Sequence, residues 1–377
     1  MNTITHSHPL AAVEALIPDI NAAVDDIDQH RKLPAVLVRD LKAAGAFRAL
    51  IPKQYLGLQA AFEDYIRLIQ KLAAADASTA WCVNQSAVIG LTSLWLPDET
   101  IRKIWETPDT SVSNGPPFKC RIEPHEKGFR LNGHWGFSSG CQHATWMNGI
   151  AGYSEGGARL SYFRPDQVEF NDNWQVAGLR GTGSFEFRIK DLILPPEQVT
   201  DPSQPATAQV DVTQLPTTLL FAVSFACVAL GIASAAIDDV LSIAQSKVPV
   251  FIKLGLRDDP DVQRFVGKAQ ARWRSANAYL HTTVAEVFEG IRRNGAITHD
   301  ERSQLRMAGT QVILDSAKVV DMAYRIAGST GIYQDQTLQR RFQDMHVITQ
   351  HVQARELYFG MLGRYAITGK YEPGGMG

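Results

Sequence analysis

At 377 residues the chain has room for roughly two or three domains, or one large multilayer unit. Its 45% hydrophobic and 20% charged residues are ordinary for a globular protein, and a formal net charge of −2 leaves no electrostatic footprint for nucleic acid or an anionic membrane. The cysteines, Cys82, Cys120, Cys141 and Cys227, form no C-x-x-C pair, which argues against a disulfide framework or a zinc site and fits a reducing cytoplasm.

The opening MNTITHSHPL has neither the basic nor the apolar region of a signal peptide, so a cytoplasmic protein is expected; His6 and His8 within it carry no assignment. Val13, Leu16, Ile20 and Val24 recur at helical spacing and predict a helix over Ala11–Val24. Pro34 opens a second helix, stopped at Gly45, and AGAFRALIPKQYLG reads as an irregular connector. Two further helices cover Ala61–Leu72 and Ser78–Leu94, and Asp98 is placed to cap a short one through Trp105.

From 108 the texture changes to Gly, Pro and Asn with short alternating runs. Phe129–Leu131, Trp146–Tyr153 and Leu160–Phe163 are strand candidates. The clearest is Ser184–Leu194, where Phe185, Phe187 and Ile189 alternate with Glu186, Arg188 and Lys190, a strand with one wet face. Residues 201–216 read as a linker.

Helices then resume. Leu219–Ile237 carries no charge and is long enough to span a bilayer, but Ser224, Gly231, Ser234 and several alanines dilute it and no anchors flank it. It reads as a buried helix at the centre of a bundle. Asp261–Gly290 carries an apolar stripe, Thr298–Glu301 is a capping box opening a helix to Ala327, and a last helix is expected over Thr337–Thr368. The result is an α+β chain: a helical domain over 1–107, a β-barrel or sandwich over 108–200, and a four-helix bundle over 201–377.

The stretch that points to chemistry is Leu131–Trp146, LNGHWGFSSGCQHATW. Asn132-Gly133 has the form of a tight turn. Trp135 and Phe137 then alternate with small residues up to Ser138-Ser139-Gly140, placing two hydroxyls beside a flat apolar surface. An ordinary hairpin with a polar corner is the alternative. The pattern NG-x-x-x-[WF]-x-[ST] resembles the flavin-contacting strand of the acyl-CoA dehydrogenase superfamily, and FSSG with a nearby histidine resembles its two-component flavin monooxygenases, which hydroxylate aromatic compounds. GLRGTGSFEFRIKDLILP and LGLRDDPDVQRFVGKAQARWRSANAYL resemble two more of its signatures, the latter in its type 2 C-terminal domain.

The resemblance implies an oxygenase using reduced flavin, FADH2 or FMNH2, and O2 by way of a C4a-hydroperoxide, with no metal. It implies a separate NAD(P)H:flavin reductase, an indolic or phenolic substrate and a homotetramer. Ser139 then takes the place of the residue bonding flavin N5, with Phe137 and Ser138 along the ring. Gly328 and Ser329 take the family's GG position near a neighbouring subunit's cofactor, and Arg257 is a candidate phosphate partner or a solvated arginine. Trp81 and Asn84 would line the substrate pocket; where several relatives use a histidine further along that helix, this chain has Val88-Ile89-Gly90.

In a classical dehydrogenase of the family, R-D is followed by a glutamate that removes the substrate α-proton. Here Asp344 is followed by Thr349-Gln350-His351, and the first later carboxylate is Glu356. Asp344 and His351 match the monooxygenase spacing, two helical turns apart on one expected face, with Asp344 in the pocket and His351 as acid/base. A bundle histidine bonding a neighbour is the alternative for His351. His346 is the runner-up; for His143 a place near the flavin edge and a structural or supporting role are both open. Two other functions remain open: a dehydrogenase with its base on another helix, or a non-catalytic flavoprotein.

Overall fold

A computed structural model describes residues 8–201 and 203–371; His6 lies outside them. Where the apolar spacing predicts one helix over Ala11–Val24 there are two, α1 (Ala11–Glu14) and α2 (Ile17–His30). The restart follows from Pro18, which lacks an N–H and is accommodated in a first helical turn. α3 (Ala35–Ala43) begins after Pro34, and Gly45 turns the chain at φ +81°. α4 (Phe62–Ala75) and α5 (Ala77–Gly90) follow, with the buried Asp76 carboxylate accepting the Thr79 N–H at 2.6 Å in the first turn of α5. α6 (Asp98–Ile104) is not capped by Asp98 as expected. Pro97 holds the cap position, and the Asp98 carboxylate instead accepts from the Tyr55 hydroxyl and Arg102 Nε, each at 2.7 Å.

Seven strands follow: β1 (Val112–Gly115), β2 (Pro117–His125), β3 (Gly128–Ser138), β4 (Trp146–Tyr153), β5 (Ala158–Phe163), β6 (Glu169–Asn171) and β7 (Phe185–Leu194). They join in one sheet, a half-barrel. β1 and β2 run parallel to β4, β5 pairs antiparallel with it, and β2–β3–β7–β6 are successive antiparallel neighbours. The core centres on Trp135 stacked over Phe187 at 5.0 Å, with Ile122, Leu131, Met147, Phe163 and Leu194 around it. β7 keeps its wet and dry faces as read. β2 gives no sequence signal because most of it is exposed on both faces.

Asn132-Gly133 is not a turn. Both residues lie inside β3, at a register shift where Asn132 Oδ1 accepts the Asp191 N–H at 2.8 Å. Gly133 is needed for space: a Cβ there would come within 2.7 Å of both Cys120 Sγ and the Trp135 ring.

The C-terminal helices are α7 (Thr217–Ser246), α8 (Pro260–Asn294), α9 (His299–Ala327), α10 (Thr337–Thr349) and α11 (Leu357–Thr368). Among the described residues α7 is the one helix long and apolar enough to cross a membrane, but 89% of its most apolar stretch is buried inside the protein. Gly231 lets α7 approach the end of α4, for a Cβ would stand 2.3 Å from the Gln70 carbonyl oxygen. The Thr298–Glu301 capping box forms as read. The single helix expected over Thr337–Thr368 is instead broken after Thr349 and resumes at Leu357.

Residues up to Leu68, Trp81–Gln175 and Arg180–Thr217 form one compact unit; Ile69–Ala80, Val176–Leu179 and the chain from Thr218 form a second.

Candidate active site

In the first unit, β3 ends in two unequal serines. A bulge at Phe137 (φ +55°) turns its ring outward, 56% exposed, edge-on to Phe118 and Trp174 at 6.2 and 6.1 Å. Ser138 is fully buried and its hydroxyl lies 3.1 Å from that of Ser113. Ser139 closes the strand before Gly140 (φ +73°).

The Ser139 hydroxyl accepts the Trp81 indole N–H at 3.1 Å and shares a hydrogen bond with the Ser184 hydroxyl at 2.8 Å. Ser184 in turn meets the Thr182 hydroxyl at 2.7 Å. A serine hydroxyl has one proton and two lone pairs. Trp81 and Ser184 use two of these three functions, so one remains. Its sign depends on which way the Thr182–Ser184–Ser139 protons run, so the group can serve a donor or an acceptor. Ser184 and Thr182 went unread as site residues, although both stand in the GLRGTGS stretch.

Around this corner α5 meets the sheet through polar groups. Gln85 Nε2 donates to Asn114 Oδ1, and Ser86 Oγ accepts the Val112 N–H at 2.9 Å. Asn84, fully buried, accepts the Tyr65 hydroxyl at 3.0 Å, and its Nδ2 has no hydrogen-bond partner among the described residues. His143 follows the turn with its ring 5.2 Å from Phe47 and its carbonyl oxygen accepting from Lys42 Nζ and Ser111 Oγ, each at 2.9 Å. Burial, and then Lys42, push its pKa down to about 3, so the imidazole is neutral.

In the second unit, Asp344 and His351 do not share a helical face. α10 ends at Thr349, and His351 is extended (φ −69°, ψ 148°) at the head of a short 3-10 turn. Asp344 Oδ1 accepts the Leu179 N–H at 2.5 Å, so this carboxylate holds a backbone segment in place. His351 packs edge-on against Phe225 of α7 at 4.8 Å, and Phe225 stacks on Phe221 at 5.2 Å. His351 Nδ1 accepts the Gln353 N–H at 3.4 Å, which places the ring proton on Nε2. Burial first, and Arg355 second, push its pKa down to about 4. The imidazole is neutral at pH 7.

His346 pairs with Asp321 at 3.0 Å. Arg257 is exposed beside Asp258, 3.6 Å away. Gly328 ends α9 at φ +53° and is exposed with Ser329, next to Lys247, whose Nζ donates to the Ala327 carbonyl oxygen. Among the described residues no group of His, Cys, Asp or Glu can hold a metal ion.

Two family models match the chain: acyl-CoA dehydrogenase, N-terminal domain, over residues 11–103, and acyl-CoA dehydrogenase, C-terminal domain, over residues 223–356. An indole-3-acetate monooxygenase of Pseudomonas putida is 30% identical over 90% of this chain and 89% of its own length. The chain belongs to the acyl-CoA dehydrogenase superfamily. Within the superfamily it stands with flavin-dependent monooxygenases: the oxygenase subunit HsaA of Mycobacterium tuberculosis is 26% identical over 91% of this chain and 90% of its own. The fold matches XiaF from a Streptomyces species, solved with FADH2 and glycerol, at a TM-score of 0.87 and 19% identity over 96% and 95% of the two chains. In the segment after Asp344 the chain carries His351 and no glutamate before Glu356.

Proposed function

We propose that the chain is the oxygenase component of a two-component flavin-dependent monooxygenase, which hydroxylates a small indolic or phenolic compound. A separate NAD(P)H:flavin reductase delivers FADH2 or FMNH2, and the subunits act as a cytoplasmic homotetramer. The observation that carries this reading is the neutral, half-buried imidazole of His351, set against Phe225 in place of a carboxylate base.

The residues at Ser139 fit a flavin. One hydrogen-bonding function of a nearly buried hydroxyl is left over, beside the outward-turned ring of Phe137. Ser139 would hold the polar edge of the ring system, with Phe137 and the main chain of Ser138 along it; Gly328, Ser329 and Arg257 are the candidates for the phosphate end. When bound, reduced flavin supplies two electrons and the place where O2 is activated, so that one oxygen atom enters a ring C–H bond and the other leaves as water.

The chain's own residues do the rest. Ser139, anchored by Trp81 and Ser184, holds a hydrogen bond without reorganising. His351, neutral and protonated on Nε2, donates a hydrogen bond to oxygen as it gains negative charge, as neutral imidazoles can in dry sites. Trp81 and Asn84 serve the aromatic substrate, and Asp344 steadies the segment at Leu179.

The test is a single-turnover reaction of the protein with chemically reduced flavin, 18O2 and indole or a phenol. One labelled atom in a hydroxylated product is expected. Unlabelled product, or turnover of acyl-CoA thioesters without reductase, would overturn the reading.

A further inference from the structure

Between α10 and α11 the chain abandons the helix over Gln350–Glu356, although that segment contains no glycine or proline. Tertiary bonds to one side chain account for the break. Gln353 is 2% exposed. Its Oε1 accepts from Arg306 Nη1 of α9, and its Nε2 donates to the Thr218 carbonyl oxygen of α7 at 3.2 Å. Its own carbonyl oxygen accepts from Thr310 Oγ1 at 3.0 Å. The N–H thereby held in place is the one that meets His351 Nδ1. In an uninterrupted helix that N–H would bond to the Thr349 carbonyl instead, and His351 Nδ1 would lose this bond.

Arg306 makes the anchor firm. It is 4% exposed, and its guanidinium lies over the Tyr358 ring at 4.6 Å. A buried guanidinium needs acceptors, and a bond from it to an amide oxygen is charge-assisted and stronger than a neutral one. Arg306 and Gln353 are therefore costly to separate.

We propose that Gln353, braced by Arg306, is the positioning residue that fixes the orientation and tautomer of His351, an inference that rests on the donor role given to His351 above. With Nδ1 occupied, the proton stays on Nε2. Released from Gln353, the ring exchanges between tautomers and rotates against Phe225. The charged group acting directly on the imidazole is Arg355 of the same loop; α7 presents Phe225, and α9 reaches it through Arg306 and Gln353.

The experiment is nitrogen-15 NMR of the full-length protein labelled at histidine, with His351→Gln to assign the resonance, read alongside steady-state turnover and peroxide release. In the wild type, His351 should show a single neutral tautomer that resists protonation at pH 5. Gln353→Ala should give averaged nitrogen shifts and a titration nearer the ordinary histidine range, with kcat lower by on the order of tenfold and KM for the aromatic substrate little changed. Gln353→Glu, which keeps an acceptor for Arg306, should restore much of both. If Gln353→Ala does not fold, Thr310→Val removes one strut and should move the same signals less far. A folded Gln353→Ala with wild-type His351 shifts and titration overturns the proposal. Shifted signals with unchanged turnover would uphold the positioning and remove His351 from the chemistry, so the two failures are distinguishable.

Discussion

The Trp81 indole N–H donates to Ser139 Oγ at 3.1 Å, so a hydroxyl at the end of β3 is oriented by a helix residue 58 positions earlier. Trp81→Phe keeps most of the ring volume and removes the donor. It should cost about 1 kcal/mol, the worth of one buried hydrogen bond. Ser139→Ala removes the acceptor that Trp81 uses and should cost about 1–3 kcal/mol. Both should raise the share of O2 released as hydrogen peroxide rather than product. Because the two groups share one bond, the double variant should fall short of the summed effects, which denaturant unfolding and peroxide assays on all four proteins would show.

Asp344 is held to the Leu179 N–H, whose residue sits at φ +51°, a conformation that needs outside support. Asp344→Ala should cost about 1–3 kcal/mol by orphaning that N–H, while Asp344→Asn keeps an acceptor oxygen and should cost less. KM for the aromatic substrate should stay near wild type in Asp344→Asn. A large rise in KM with unchanged stability would make Asp344 a substrate ligand instead.

Local signals carried far in this chain, and tertiary ones did not. The capping box at Thr298–Glu301, the limits of β4 and the burial of α7 follow from neighbouring residues alone. Ser139 and His351 were legible as residues of interest, but Ser184, Gln353 and Arg306 were not, because their meaning lies in bonds to residues distant in sequence. The same cause explains the misread last helix. Nothing within Gln350–Glu356 announces a stop, and the break is imposed from outside the segment, by the bonds of Arg306, Thr310 and Thr218 to Gln353. Asn132-Gly133 fails for a related reason: a glycine serving close packing cannot be told by sequence from one serving a turn.

Gly231→Val should be far worse than its apolar chemistry implies. A Cβ at that position meets the Gln70 carbonyl at 2.3 Å and Ala73 Cβ at 2.7 Å, both on α4. Neither the backbone nor a methyl can swing away, so α7 and the end of α4 must separate. Overpacking of this kind costs about 1–3 kcal/mol, and backbone clashes more. A lowered unfolding midpoint in Gly231→Val, with Ser234→Val on the same helix much milder, would confirm that the loss comes from this approach.

Acid should weaken the fold through two half-buried imidazoles. His351 and His143 have pKa values pushed down to about 4 and about 3, against an ordinary value of 6.5. Above pH 6.5 each is neutral whether folded or unfolded, and neither affects stability. As pH falls below 6.5 the unfolded chain takes up protons that the folded chain refuses, so stability falls with pH until each folded pKa is passed. At pH 5 the loss is about 2 kcal/mol for each histidine. Other groups titrate over the same range, so the contribution is best read by difference. His351→Gln has no proton to bind, and its stability should depend less on pH than the wild type's, by up to about 1.4 kcal/mol per pH unit between 6 and 4.5. Urea unfolding of both proteins at pH 7.5, 6 and 5 gives that slope, and parallel curves would mean that His351 is not held neutral by burial.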